Sequence, residues 1–180
     1  MPVLIEAISV VIRRHAIDQK LAGGWPAFLA GVPNSTLCFD DEVARVGFMS
    51  PEDVRAYVSE LESLGLRHLA DGETQCQDIA VVDQLQGFMT AAPWLEIASC
   101  LDDEIGGSVV ICRLVGSSNE AIAVADRWKY SGSMSEHQGF MTDEAAKTNL
   151  IFLRSDGGLD VYLNKTTGKE VYLGRTSRSH

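Results

Sequence analysis

Apolar and polar positions alternate with two different periods along the first half of the chain. Ile8 to Arg13 is rich in β-branched residues and has little polar alternation, which predicts a strand covered on both faces. A short helix is expected around Trp25-Pro26-Ala27-Phe28-Leu29-Ala30, where Pro26 suits a first turn and Pro33-Asn34 ends the element. Thr36 to Phe39 and Val43 to Met49 read as a hairpin closed by the charged tip Asp40-Asp41-Glu42. Ser50 then offers an N-cap, Pro51 a first position, and Glu52 and Asp53 two charges that complement the helix dipole. Val54, Tyr57, Val58, Leu61 and Leu64 follow at helical spacing, and Gly65 is placed to stop the helix. Strands at Leu66 to Leu69 and Asp78 to Asp83 complete a β-α-β-β-α-β-β unit.

Self-comparison extends this pattern to the second half. Ser9-Val10-Val11-Ile12-Arg13-Arg14 is matched by Ser108-Val109-Val110-Ile111-Cys112-Arg113, and Gly47-Phe48-Met49-Ser50 by Gly139-Phe140-Met141-Thr142. Leu69 to Gly72 leading into Asp78 to Val81 resembles Leu153 to Gly157 leading into Asp160 to Leu163. The shared order argues for duplication of one half within a single domain, with pseudo-repeats at 1–86 and 107–175 joined by a connector at 87–106. Gly87-Phe88-Met89-Thr90 repeats the tetrapeptide where duplication does not require it. The second half keeps the strands and shortens the helix, while Ala121 to Tyr130 favours strand. Leu159 to Leu163 and Glu170 to Leu173 form a last hairpin, and the tail from Thr176 to His180 is expected to be mobile. The fold class is therefore α+β, with a mixed or mainly antiparallel sheet and few helices.

Composition narrows the setting without naming a reaction. Hydrophobic residues make up 46% of the 180 residues and charged residues 22%, as in a globular chain. No apolar run reaches the roughly 20 residues needed to span a bilayer, and no basic leader precedes the first apolar stretch, so a cytoplasmic protein without a membrane partner is expected. The formal charge of −10 opposes nucleic acid and is compatible with a basic protein partner or a homo-oligomer. Cys38, Cys76, Cys100 and Cys112 contain no C-x-x-C pair, and Cys112 sits in an apolar run that suits an inert buried thiol.

Candidate chemistry is sparse. His15, His68 and His137 show no H-x-H or H-E-x-x-H spacing, and the glycines at Gly23-Gly24 match no phosphate-binding pattern, so neither metal nor cofactor is expected. Asp40-Asp41-Glu42 and Asp102-Asp103-Glu104 are the densest acidic groups; they read as solvated turns rather than as an acid–base carboxylate pair, with a protein-binding epitope as the main alternative. Trp94, beside Pro93 in the connector, is the aromatic residue best placed for exposure and for anchoring a partner. Arg14 and Arg113 end their matched strands and would converge on a shared anion-binding groove if the halves packed about an approximate twofold axis.

The segments Met1 to Arg14, Ala44 to Pro51, Asp78 to Gln84 and Leu159 to Arg175 resemble those of bacterial hypothetical proteins of similar length, a resemblance that implies a bacterial setting and no activity. The expected function is a non-catalytic binding or regulatory protein, of immunity type or similar. The alternative is a small-molecule site or enzyme in the groove between the halves.

Overall fold

The computed structural model describes residues 1–69, 74–102, 107–117, 121–131, 133–135, 150–156, 159–164 and 170–174. Its elements run β1 (Val3–Ile5), β2 (Ile8–Arg13), α1 (Arg14–Lys20), α2 (Gly24–Ala30), β3 (Cys38–Phe39), β4 (Val43–Phe48), α3 (Pro51–Ser63), β5 (Ile79–Asp83) and β6 (Gly87–Phe88). They continue with β7 (Leu95–Asp102), β8 (Gly107–Leu114), β9 (Leu150–Asp156), β10 (Leu159–Asn164) and β11 (Glu170–Gly174).

β2 is the centre of a five-stranded sheet of order β3-β4-β2-β5-β6, antiparallel throughout. The period of two along its strands separates two cores. Ile8, Val10 and Ile12 of β2, with Ala44, Val46, Ile79 and Val81 from its neighbours, face the helices and meet Ile17, Phe28, Val54, Tyr57 and Leu61. Val11, Val43, Ala80 and Val82 face the other way and pack under a second sheet of order β1-β8-β7, against Leu4, Val109, Val110 and Cys112. The result is three layers of helices, sheet and sheet, which explains why β2 carries apolar residues on both faces. Each fully buried Val or Ile there contributes about 1.5–3 kcal/mol of burial.

The long helix follows its sequence signals. The Ser50 hydroxyl accepts the Glu52 amide at 3.1 Å, Pro51 occupies the first turn, and Gly65 beyond the end has φ +102. Val54, Tyr57, Val58 and Leu61 are buried, whereas Leu64, at the end of the stripe, is 49% exposed.

Several expectations give way. Arg14 to Lys20 is helical although no side chain caps it, because Ala16 and Ile17 bury against the sheet and α2. Leu66 to Leu69 is not a strand: it forms an isolated bridge from Leu69 to Cys76, and the Arg67 and His68 carbonyls accept the amides of Gln77, Asp78 and Ile79. Ala121 to Tyr130 likewise supplies one bridging residue, Ala123, beside β1. The stretch read as a connector holds β6 and β7, and β7 pairs with β8 along its whole length. Its apolar Leu95 is buried in the core between the sheets, so the segment has structural work of its own.

The pairing does not confirm a duplication. β2 is flanked by the downstream strands β4 and β5, whereas its sequence match β8 is flanked by the upstream strands β1 and β7. Gly139 to Thr142, the second copy of the tetrapeptide, lies outside the described residues. The last three strands form their own antiparallel sheet with β10 central, and the expected hairpin pairs Leu159 with Gly174 and Leu163 with Glu170. Phe152 meets Tyr162 edge-on at 5.5 Å there, and Arg154 reaches both carboxylate oxygens of Glu170 at 2.8 and 2.9 Å. His137 and the tail beyond Gly174 are outside the described residues. Among the described residues, no helix is long and apolar enough to cross a membrane.

Candidate functional site

On the side of the central sheet that faces the second sheet, the alternating positions of β4 are Val43, Arg45 and Gly47. Arg45 therefore enters the core between the sheets and is fully buried. A charge in that place is tolerable only when paired and hydrogen-bonded. Its Nε donates to the Ser9 hydroxyl at 3.0 Å, Nη1 to the Thr36 carbonyl at 2.9 Å, and Nη2 to Oε2 of buried Glu6 at 3.3 Å. Gly47 gives the guanidinium room, since a Cβ there would lie 3.2 Å from Nη1 and 2.8 Å from the Met134 methyl.

The other carboxylate oxygen of Glu6 holds a distant segment. Oε1 accepts the Trp128 indole N–H at 2.9 Å, the Ser135 amide at 3.2 Å and the Ser135 hydroxyl at 3.1 Å. The turn that presents Glu6 is strained at Ala7, whose φ of 47 lies in the left-handed region. Such a residue costs on the order of 1–2 kcal/mol. Reciprocal hydrogen bonds with Gln84 offset this, the Ala7 amide donating to Oε1 at 2.8 Å and the Gln84 amide to the Ala7 carbonyl at 2.8 Å. Backbone bonds complete the attachment: the Ala123 amide donates to the Pro2 carbonyl at 2.7 Å, and the Leu4 amide to the Ala123 carbonyl at 3.0 Å.

This attachment fixes one wall of an open groove of about 930 Å³. Ala123, Val124, Asp126 and Arg127 form that wall, and the segment from α2 through β3 forms the other, with Leu29, Val32, Leu37 and Phe39 apolar and Asn34 and Ser35 polar. Four of the large apolar side chains that line it are exposed: Met1 at 37%, Leu29 at 42%, Phe39 at 43% and Val124 at 39%. Phe39 is nevertheless packed on one side, with its ring 4.9 Å from Trp25, which stacks on Phe28 at 5.1 Å. Asn34 and Thr36 shape the loop, the Thr36 hydroxyl accepting the Gly47 amide at 2.7 Å and the Asn34 side chain donating to the Gly47 carbonyl at 2.9 Å.

The sequence-selected residues fall in different places. Arg14 lies over the Trp25 ring at 3.5 Å and donates to the Asp40 carbonyl at 3.1 Å, so it braces the floor behind Phe39. Arg113 pairs across the second sheet with Glu96 at 2.5 Å. The two arginines share no partner. Asp40 is buried rather than solvated: its Oδ1 accepts the amides of Glu42 and Val43 at 2.8 and 2.7 Å, and its other oxygen pairs with the Met1 amino group. Asp41 is exposed and Glu42 half-buried. Trp94 is also buried, against the expectation of exposure; its indole donates to the Cys76 carbonyl at 2.9 Å and the Arg13 guanidinium covers its ring at 4.3 Å. Asp102 ends β7, and Asp103 and Glu104 lie outside the described residues.

Burial shifts several titratable groups. It raises the thiols of Cys38 and Cys112 and pushes Cys76 up to about 11, so the reactive thiolate is scarce at neutral pH. Desolvation likewise lowers His68 and raises Asp83. Among the described residues, no group of His, Cys, Asp and Glu is arranged to hold a metal ion. Glu6, Arg45 and the groove went unread in the sequence because each depends on a crossing between distant segments. The one local signal was an arginine alternating with apolar residues in Val43-Ala44-Arg45-Val46-Gly47. Compared with known proteins, the chain matches no family model, no curated protein and no solved structure, so the groove's own geometry carries the functional assignment.

Proposed function

We propose that this is a non-catalytic binding protein whose partner seats in the groove between residues 29–39 and 123–127. The observation that carries this is the exposure of Leu29, Phe39 and Val124 around one concavity. Isolated exposed apolar residues need no explanation, but a concave cluster rimmed by Asn34, Ser35 and Asp126 is the composition of a binding surface. The walls are anchored by the buried Glu6–Arg45 pair and by the Trp25–Phe39 contact, so little ordering is needed when a partner arrives. A net charge of −10 favours a basic partner, in keeping with a regulatory or immunity-type role toward another protein. The volume also falls in the range of small-ligand sites, which favours a small-molecule binder or enzyme as the second reading.

The test is copurification of a tagged chain from its native cells, beside a Leu29→Glu/Val124→Glu variant. Both substituted side chains are already exposed, so the fold should tolerate the change. A stoichiometric partner or small molecule, bound to the wild type and lost from the variant, is the expected result. A partner retained equally by the variant, or none at all, would overturn the assignment to this groove.

A further inference from the structure

The groove is lined by one strand edge, that of β3, as well as by apolar side chains. Among the described residues, β3 pairs on one side only, with β4, and ends the five-stranded sheet. The Asp40 amide donates to the Val43 carbonyl at 3.0 Å, and Cys38 lies opposite Arg45. Successive residues of an extended strand direct their N–H and C=O groups to opposite sides. Pairing through Cys38 and Asp40 therefore turns the backbone groups of Phe39, a residue that lines the groove, away from β4. On the other wall Ala123 spends its amide on Pro2 and its carbonyl on Leu4, which fixes the segment that carries Val124. An edge of this kind is a template for another extended chain.

Resting on the assignment of the binding site to this groove, we propose that its occupant is an extended peptide segment that adds as a strand to the β3 edge. Alternate apolar residues of the guest would lie against Leu29, Leu37, Phe39 and Val124, and the residues between them would be basic. The preference for basic residues follows from charge. Asp126 and Arg127 in the wall lie 3.8 Å apart and offset each other, and the Met1 amino group at the groove is paired with Asp40. The charge that remains is that of Asp41 and Glu42 at the hairpin tip next to β3, within a chain that carries −10 overall. The two-residue length of β3 limits the ladder, so side-chain burial supplies much of the affinity and the backbone bonds supply direction.

The experiment is a protein-observed amide NMR titration of the full chain with a short acetylated peptide alternating lysine and valine. The same titration is run with a copy N-methylated at alternate residues, a glutamate–valine analogue, and dodecanoate as an apolar probe without amides. Expected are saturable shifts largest at Phe39 and Val124, binding about tenfold or more weaker after N-methylation of the register that faces β3, and weaker binding of the acidic analogue. Equal affinity of the methylated and unmethylated peptides would overturn strand addition. Saturation of the groove by dodecanoate with no binding of the lysine–valine peptide would also overturn it, while leaving the groove as the site. A native partner that stays bound to the Leu29→Glu/Val124→Glu variant would instead remove the groove itself.

Discussion

Replacing Arg45 with Met tests whether the buried ion pair holds the wall of the groove in place. Met keeps much of the volume and removes the charge, leaving the Glu6 carboxylate in a site that is 2% exposed. Breaking a buried pair in this way costs about 3–5 kcal/mol, because the remaining charge has lost its counter-ion and cannot recover its hydration. Glu6 retains the three contacts from Trp128 and Ser135, which places the expected cost at the lower end, about 3 kcal/mol. For a chain of this size that corresponds to a fall in Tm of about 6–12 °C. Adding Glu6→Gln to Arg45→Met removes the stranded charge while keeping an acceptor for the indole N–H. The double variant should therefore be more stable than Arg45→Met alone, a coupling that only contacting residues show. Urea unfolding followed by tryptophan fluorescence measures the wild type, Arg45→Met, Glu6→Gln alone and the double variant, the four chains that the coupling requires. An Arg45→Met cost below about 1 kcal/mol, or a double variant no more stable than the single, would refute the assignment of Arg45 as the counter-ion of Glu6.

Gly47→Ala brings a Cβ to 2.8 Å of the Met134 methyl and 3.2 Å of Arg45 Nη1. Met134 can yield but the held guanidinium cannot, so a loss of about 1–3 kcal/mol is expected in the same unfolding assay. Burial raises the Asp83 carboxyl above the ordinary range, with the Leu85 and Gln86 amides opposing. An acid whose pKa is higher folded than unfolded favours folding below its unfolded value, and that contribution is lost as pH rises toward the folded value. Asp83→Asn keeps the Oδ1 acceptor, so its stability relative to the wild type should rise as pH increases above the ordinary aspartate value of about 3.9; an unchanged difference there would show that Asp83 is not desolvated. Iodoacetamide at about pH 8.5 should label Cys38, Cys76 and Cys112 at least about a hundredfold more slowly in the native chain than in urea, and rapid native labelling read by mass spectrometry would contradict their burial.

Local signals accounted for the elements that carry their own punctuation. Ser50, Pro51 and Gly65 delimited α3, the β-branched run defined β2, and Asp40-Asp41-Glu42 marked the β3–β4 tip. Where the pattern misled, tertiary contact had overridden it. α1 lacks a cap and is short, and it is helical because the sheet buries Ala16 and Ile17. Ala121 to Tyr130 has strand-like residues, yet it is fixed through the side chain of Trp128 and the backbone of Ala123 rather than through a ladder. Trp94 looked free beside Pro93, but Cys76 and Arg13 enclose it.

By itself the sequence determined the α+β class, the two-faced burial of β2, the capped helix and the two hairpins, since each follows from periodicity and neighbouring residues. The tertiary structure alone decided that β8 would pair with β1 rather than repeat the surroundings of β2. It alone brought Glu6, Arg45 and Trp128 together across 122 residues of chain and lined one groove with both Val124 and Phe39. The reason is physical: a helix or hairpin is specified by residues a few positions apart, whereas a groove is specified by which distant faces exclude water together.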